Sequence, residues 1–109
     1  MKINLNEKDS KIIKQNETYT LIDNTDLNGL IVSKTILHTG KETTGHKHEG
    51  QEEVYQFISG KGTIEVGNKV IGVTSGDIVL IPDGEFHKVW NTGLEDLVFI
   101  CVFDGGRNH

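Results

Sequence analysis

The sequence is poor in cysteine, proline and arginine, and the first and last of these shortages exclude whole classes of protein. With Cys101 as the single cysteine, the chain can form no internal disulfide, so its stability must come from packing. Arg107 is the single arginine and the formal net charge is −5. A nucleic-acid surface needs clustered cations, so we expect no nucleic-acid partner. No apolar run approaches the roughly 20 residues that span a bilayer, and we expect no membrane partner either.

What remains is the composition of an ordinary globular protein. Apolar residues make up 35% and charged residues 25% of a chain of 109 residues, which has room for one core and one domain over 1–109. The segment 1–14 alternates charged and apolar side chains and lacks the apolar core of a signal peptide. We therefore expect a cytoplasmic location.

The pattern of apolar residues predicts an all-β fold. Thirteen glycines separate short runs rich in valine, isoleucine, threonine and aromatic residues, and no segment keeps a helical apolar period. Many short strands at regular spacing indicate a sandwich or a barrel. The segment 1–17 fits either a helical turn or an added edge strand. The candidate strands are 18–23, 30–38, 44–48, 53–59, 62–66, 69–74, 77–81, 85–91 and 97–103.

Three histidines and a glutamate form a candidate metal site. His46 and His48 flank one residue on the predicted strand 44–48, so the period of two places both rings on one face. Glu53 opens the next strand, and His87 lies far along the chain. Three imidazoles and one carboxylate suit Mn, Fe, Ni, Co, Cu or Zn better than Ca or Mg. A histidine pair of this spacing is common on surfaces, so the interpretation depends on the residues around it.

Two spaced patterns of glycine, proline and asparagine frame these four residues. The first, in 40–60, reads G-x5-H-x-H-x4-E-x6-G, and the second, in 76–91, reads G-x5-P-x-G-x2-H-x3-N. The glycines are expected at turns that penalise a Cβ atom, and the proline presets the turn before the last histidine. The ten specified residues are Gly40, His46, His48, Glu53, Gly60, Gly76, Pro82, Gly84, His87 and Asn91.

Together the two patterns resemble the paired motifs of the cupin superfamily, and every specified position agrees. The resemblance implies a double-stranded β-helix, or jelly-roll barrel. It implies that His46, His48, Glu53 and His87 converge on one divalent transition metal inside one end of the barrel. It also implies a homodimer, because small cupins often pair. Asn91 is expected to form hydrogen bonds at a strand end rather than to bind the metal.

The choice of Glu53 over Glu52 rests on the six-residue spacing to Gly60, and alternation should place the two carboxylates on opposite faces. If Glu53 points inward, Tyr55 and Phe57 do too. Tyr55 is then the candidate catalytic residue, able to donate a hydrogen bond or a proton to substrate; the alternative is packing in the barrel wall. Phe57 is expected to pack.

Residues outside this register are expected to face away from the metal. Trp90 and Lys88 should lie on the outer face, and His38 should be exposed or support a ligand rather than be one. The cations that could bind a substrate anion at the barrel mouth are Lys34, Lys41 and Arg107. The polar tail 104–109 could be frayed or could fold over the pocket.

Three functions fit a small molecule bound at such a site. The first is an enzyme that acts by metal chelation and proton transfer on a carbohydrate-like or oxoacid substrate, as an isomerase, epimerase or lyase. The second is a non-haem, metal-dependent dioxygenase. The third is a non-catalytic binding module. The fold alone does not choose among them.

Overall fold

The computed structural model describes residues 2–6 and 10–104, which form β-strands and turns without a helix. The predicted all-β fold is confirmed. This part of the chain therefore contains no helix that could cross a membrane. The strands are β1 (Lys11–Gln15), β2 (Tyr19–Asn24), β3 (Leu30–Leu37), β4 (Glu53–Ser59), β5 (Lys61–Val66), β6 (Lys69–Thr74), β7 (Ile78–Ile81), β8 (His87–Asn91) and β9 (Leu97–Asp104).

The strands form two antiparallel sheets, consistent with the predicted jelly roll. One sheet has six strands in the order β1-β2-β3-β9-β4-β7, and the other has three in the order β6-β5-β8. Alternating residues of the central strands β4 and β9 are buried, as expected for a sheet with one face on a core. Phe57 and Phe99 pair across these strands and are almost fully buried. Ile64 and Val89, paired on β5 and β8, belong to the same buried cluster.

The N-terminal segment contributes an edge strand, and no helical turn occurs in its described residues, 2–6 and 10–17. β1 pairs antiparallel with β2, and its register shifts between Ile12 and Lys14. Nearby, the Asn24 side chain donates a hydrogen bond of 2.8 Å to the carbonyl of Asn4, which ties the first residues to the end of β2. The sequence fits either a helical turn or an edge strand, and the pairing of β1 with β2 shows the strand.

The predicted strand 44–48 is wrong. Gly45 has a φ of 91°, which breaks an extended run, and the Phe86 ring packs against it so closely that a Cβ would lie 2.5 Å from that ring. The chain from Glu42 to His48 instead touches the smaller sheet at two isolated bridges, Glu42 with Trp90 and His46 with His87. The part of the first pattern that carries His46 and His48 is therefore a loop anchored to β8.

Two predictions for the framing residues are confirmed. Gly60 has a φ of 93° where a Cβ would meet the Asp96 carbonyl at 2.5 Å, so glycine is required there. The Asn91 amide donates to the carbonyls of Leu37 (2.9 Å) and Glu95 (2.8 Å) and thus joins two strand ends. Of the predicted tail, residues 105–109, including Arg107, lie outside the described part of the chain.

Candidate metal centre

The backbone brings both sequence patterns to one place. His46 and His87 exchange two backbone hydrogen bonds, with N–O distances of 2.9 and 2.8 Å. The Gly84 amide donates to the His48 carbonyl at 3.0 Å, and the Gly50 amide donates to Asp83 Oδ1 at 2.8 Å. These bonds fix the loop that carries His46 and His48 against the start of β8.

Three of the four predicted ligands meet at a common point. Glu53 begins β4 and His87 begins β8, while His48 precedes β4 in the loop. Glu53 Oε1 lies 3.3 Å from His48 Nε2 and 3.5 Å from His87 Nε2. One ligand atom of each residue lies within 4.8 Å of those of the others, and all three residues are buried. Glu53 thus comes from the six-stranded sheet, His87 from the three-stranded sheet, and His48 from the loop that joins β3 to β4.

His46 lies beside this group rather than within it. Its ring stacks on His48 with 5.5 Å between centroids and an interplanar angle of 21°, and its centroid is 6.1 Å from that of His87. His46 is half-buried, whereas His48 and Glu53 are buried, and all three line the cavity. The rings of His46 and His48 thus lie on the same side of the chain, as predicted, although these residues are in a loop and not in a strand.

Glu53, rather than Glu52, points inward. Glu53 is buried beside the histidines, whereas Glu52 is exposed, as alternation requires. Tyr55 follows on the same face, stacked on Phe99 at 5.3 Å and edge-on to His87 at 5.7 Å between centroids. Tyr55 therefore lies beside the candidate centre and also packs in the wall.

The hydrogen bonding of His87 leaves its inner nitrogen available as a ligand. Nδ1 lies 3.2 Å from the Glu85 carbonyl oxygen, and because a carbonyl only accepts, Nδ1 carries the proton. Nε2 is buried and makes no hydrogen bond to the described residues. Burial lowers the pKa of His87 to about 4; the bond to Glu85 opposes this shift, and the neighbouring His48 and His46 add to it. The ring is thus neutral near pH 7, the form that coordinates metals.

The lowered pKa predicts acid sensitivity of the metal-free protein. Below the ordinary value of 6.5 the unfolded chain binds a proton at His87 that the folded chain does not, so stability is full above pH 6.5 and falls until about pH 4. We expect a loss of about 2 kcal/mol from this residue between pH 7 and pH 5. Urea unfolding of chelator-treated protein at both pH values measures it. The free energy of unfolding of the His87→Gln variant should fall by less between pH 7 and pH 5. An equal fall in the variant and the wild type would show that other groups cause the acid sensitivity.

The donor set and the orientation of His87 fit a divalent transition metal. Two buried imidazoles and a carboxylate are combined with a third imidazole at the edge, and the Glu85 carbonyl orients His87 as acceptors commonly orient metal-binding histidines. The residues that could hold the ion are thus His48, Glu53 and His87, with His46 beside them.

The candidate centre opens into a cavity of about 260 Å³. Its wall includes His46, His48, Glu53 and Tyr55 together with apolar side chains of β9 and hydroxyl groups of Ser33 and Thr35. A volume of this size suits a small molecule of a few carbon atoms rather than a polymer. The hydroxyls offer hydrogen bonds, so the cavity can accept a polar ligand.

The lysines predicted to lie near the cavity do not line it. Lys34 pairs with Ile22 and Ile100 on the outer face of the sheet, and Lys41 is exposed in the loop after β3; neither lines the cavity. Among the described residues the lysine in the wall is Lys14 of β1. Its position depends on the register shift in β1, which leaves no signal in the sequence.

The remaining candidates face away from the centre. The Lys88 ammonium lies 5.2 Å from the centroid of the Trp90 ring and 3.3 Å from Glu42, on the outer side of β8. His38 Nδ1 lies 3.2 Å from Asp96 Oδ1 beyond the end of β3. The predicted outward position of Trp90 and Lys88 is confirmed, and His38 is exposed rather than supporting a ligand.

Comparison with known proteins identifies the family. A family model described as a cupin domain matches residues 33–103, which include both patterns. The chain belongs to the cupin family. A solved structure of a predicted oxalate decarboxylase from Thermotoga maritima superposes with a TM-score of 0.77 at 25% identity, covering 95% of this chain and 98% of that one.

Two curated relatives differ in function. The chain is 36% identical over 66 residues to the oxalate-binding protein of Thermotoga maritima, covering 61% of this chain and 54% of that protein. It is 28% identical over 106 residues to the glucose-6-phosphate isomerase of Thermococcus onnurineus, covering 85% of this chain and 56% of that protein. The chain thus spans about half the length of these relatives, and their names do not agree on one activity.

Proposed function

We propose that this cupin binds one divalent transition metal through His46, His48, Glu53 and His87 and uses it to hold a small oxoacid. The observation that carries the proposal is the meeting of three buried ligand atoms within 4.8 Å of one another at the wall of a small cavity. His46, whose ring stacks on that of His48, is the proposed fourth ligand. The identity of the metal among Mn, Fe, Ni, Co, Cu and Zn is left to measurement.

The chemistry proposed is proton transfer on a chelated substrate, of the isomerase or lyase type. A divalent ion in this position supplies Lewis-acid polarisation of a carbonyl or carboxylate oxygen. Tyr55 lies in the cavity wall and contacts His87, so its hydroxyl is the proposed donor of a hydrogen bond or a proton to the substrate. The apolar residues Phe99 and Phe103 of the neighbouring strand β9 line the cavity beside Tyr55.

An oxoacid fits the cavity better than a phosphorylated sugar. Lys14 is the lysine in the described wall, whereas phosphate groups are commonly held by several cationic or amide donors. The similarity to an oxalate-binding protein supports a ligand with adjacent carboxylate oxygens. Oxalate and 2-oxoacids both present oxygen atoms on two adjacent carbons, from two carboxylates in oxalate and from a carboxylate and a keto group in a 2-oxoacid.

Metal analysis and ligand binding test the proposal together. Elemental analysis of protein purified without added metal should find about one transition-metal ion per chain, and calorimetry should show oxalate binding that chelator treatment abolishes. A His38→Ala variant serves as the control, since His38 lies outside the cavity. Metal-free protein that binds oxalate equally well would refute the proposal.

The fate of the bound molecule separates the alternatives. Conversion of a bound oxoacid without oxygen supports the lyase or isomerase type, consumption that requires oxygen supports the dioxygenase, and recovery of unchanged ligand supports a binding module. The homodimer and the cytoplasmic location stay predictions.

A further inference from the structure

We infer that Lys14 selects substrates that carry a second carboxylate, at the end of the molecule away from the metal. The inference rests on the proposed function and deepens it, because it concerns the far wall of the same cavity. It assigns a specificity-determining role to a residue outside both sequence patterns.

The β1 bulge places Lys14 on the cavity side. Ile12 pairs with Ile22, and with regular pairing Lys14 would lie opposite Thr20, on the other face of the sheet. The shift after Ile12 pairs Lys14 with Leu21 instead. Leu21 lines the cavity and Lys14 does too, so the extra residue brings the lysine, which is exposed to solvent, to the cavity side of the sheet.

The contacts of Lys14 leave its charge available to a ligand. Its ammonium lies 5.7 Å from the centroid of the Tyr19 ring, a cation–π distance that holds the side chain beside the cavity. Among the described residues, no carboxylate forms an ion pair with Lys14. Lys14 and Tyr19 both line the cavity, and the flexible four-carbon stem of the lysine lets its charge reach an anion at different depths.

The charge distribution along the cavity indicates a ligand with two anionic ends. At the metal end, Glu53 lies on β4, His46 and His48 lie in the loop before it, and His87 lies on β8. Lys14 lies on β1, at the far edge of the six-stranded sheet. Between them Ser33 and Thr35 supply hydroxyls on β3. One ammonium matches the single charge of a carboxylate, and a chelating 2-oxoacid group at the opposite end completes the match.

Calorimetry with matched 2-oxoacids tests the inference on the holo-protein as purified. The probes are 2-oxobutyrate, which has no second carboxylate, and 2-oxoglutarate and 2-oxoadipate, which carry one at two spacings. We expect at least one diacid to bind about tenfold or more tightly than 2-oxobutyrate, as for a charge-assisted contact. The Lys14→Met variant should lose this preference while its metal content and its affinity for 2-oxobutyrate stay unchanged.

Two further variants separate charge at this position from net charge. Lys14→Arg should keep the preference, and Lys61→Met, an equal change of charge at an exposed residue outside the cavity wall, should leave it intact. The inference is overturned if the wild-type protein shows no preference for either diacid or if Lys14→Met retains it, and the proposed metal centre then stands. If the protein binds neither metal nor any probe, the proposed function fails and the inference fails with it.

Discussion

Replacing His48 with alanine should reduce the metal content of the purified protein to a trace and abolish metal-dependent ligand binding. His48 Nε2 lies 3.3 Å from Glu53 Oε1 and is one of the three buried ligand atoms of the centre. Loss of residues that merely support metal ligands typically costs about 10–100-fold in affinity, so loss of a ligand should cost more than about 100-fold. Elemental analysis and metal titration by calorimetry measure the effect.

The His38→Ala variant is the matched control for this substitution. It removes the same side chain from a site where the ring contacts Asp96 and not the cavity, so the metal content should stay at the wild-type level. Wild-type metal affinity in His48→Ala would show that the ion, if bound, lies elsewhere. Equal losses in both variants would point to a general effect on folding.

Replacing Phe57 with alanine should destabilise the protein by about 3–5 kcal/mol, the usual cost of removing a buried phenylalanine ring. The side chain is 0% exposed, and its ring lies 5.3 Å from that of Phe99, between the sheets. A loss of this size is a large part of the 5–15 kcal/mol that stabilises a typical domain. Urea unfolding followed by circular dichroism measures it.

The next residue along β4 provides the comparison. Ile58 points to the opposite face and is 44% exposed, so Ile58→Ala should change the stability by much less than Phe57→Ala does. A similar loss in the two variants would mean that the outer face of β4 is covered in solution, as the predicted homodimer could bring about. A small loss in Phe57→Ala would contradict the proposed core.

The parts of the site that follow a local rule could be predicted from the sequence. Alternation distinguishes Glu53 from Glu52, and the structure buries the first and exposes the second. The paired patterns also anticipate that His87 lies near His48, although they are far apart in the chain. Gly60 also follows a local rule, because its backbone has a positive φ that favours glycine.

The sequence-based predictions that were wrong or left open concern features that depend on contacts between distant residues. The run 44–48 has an alternating pattern, but Gly45 adopts a positive φ beside the Phe86 ring, and the extended strand is lost. The segment 1–17 fits either a helical turn or an edge strand by its sequence, so only pairing with β2 identifies β1 as a strand. Lys14 could not be assigned to the cavity, because a bulge depends on the pairing of two strands and the sequence of one does not show it.

The two sheets are joined without a disulfide, and the candidate ligands bridge them. Glu53 belongs to the six-stranded sheet and His87 to the three-stranded sheet, while Cys101, the single cysteine, is buried. An ion shared by Glu53 and His87 would act as a cross-link between the layers, present in the folded chain and absent from the unfolded one. Occupancy would then set the melting temperature, and a cell short of the metal would hold a protein more open to proteolysis.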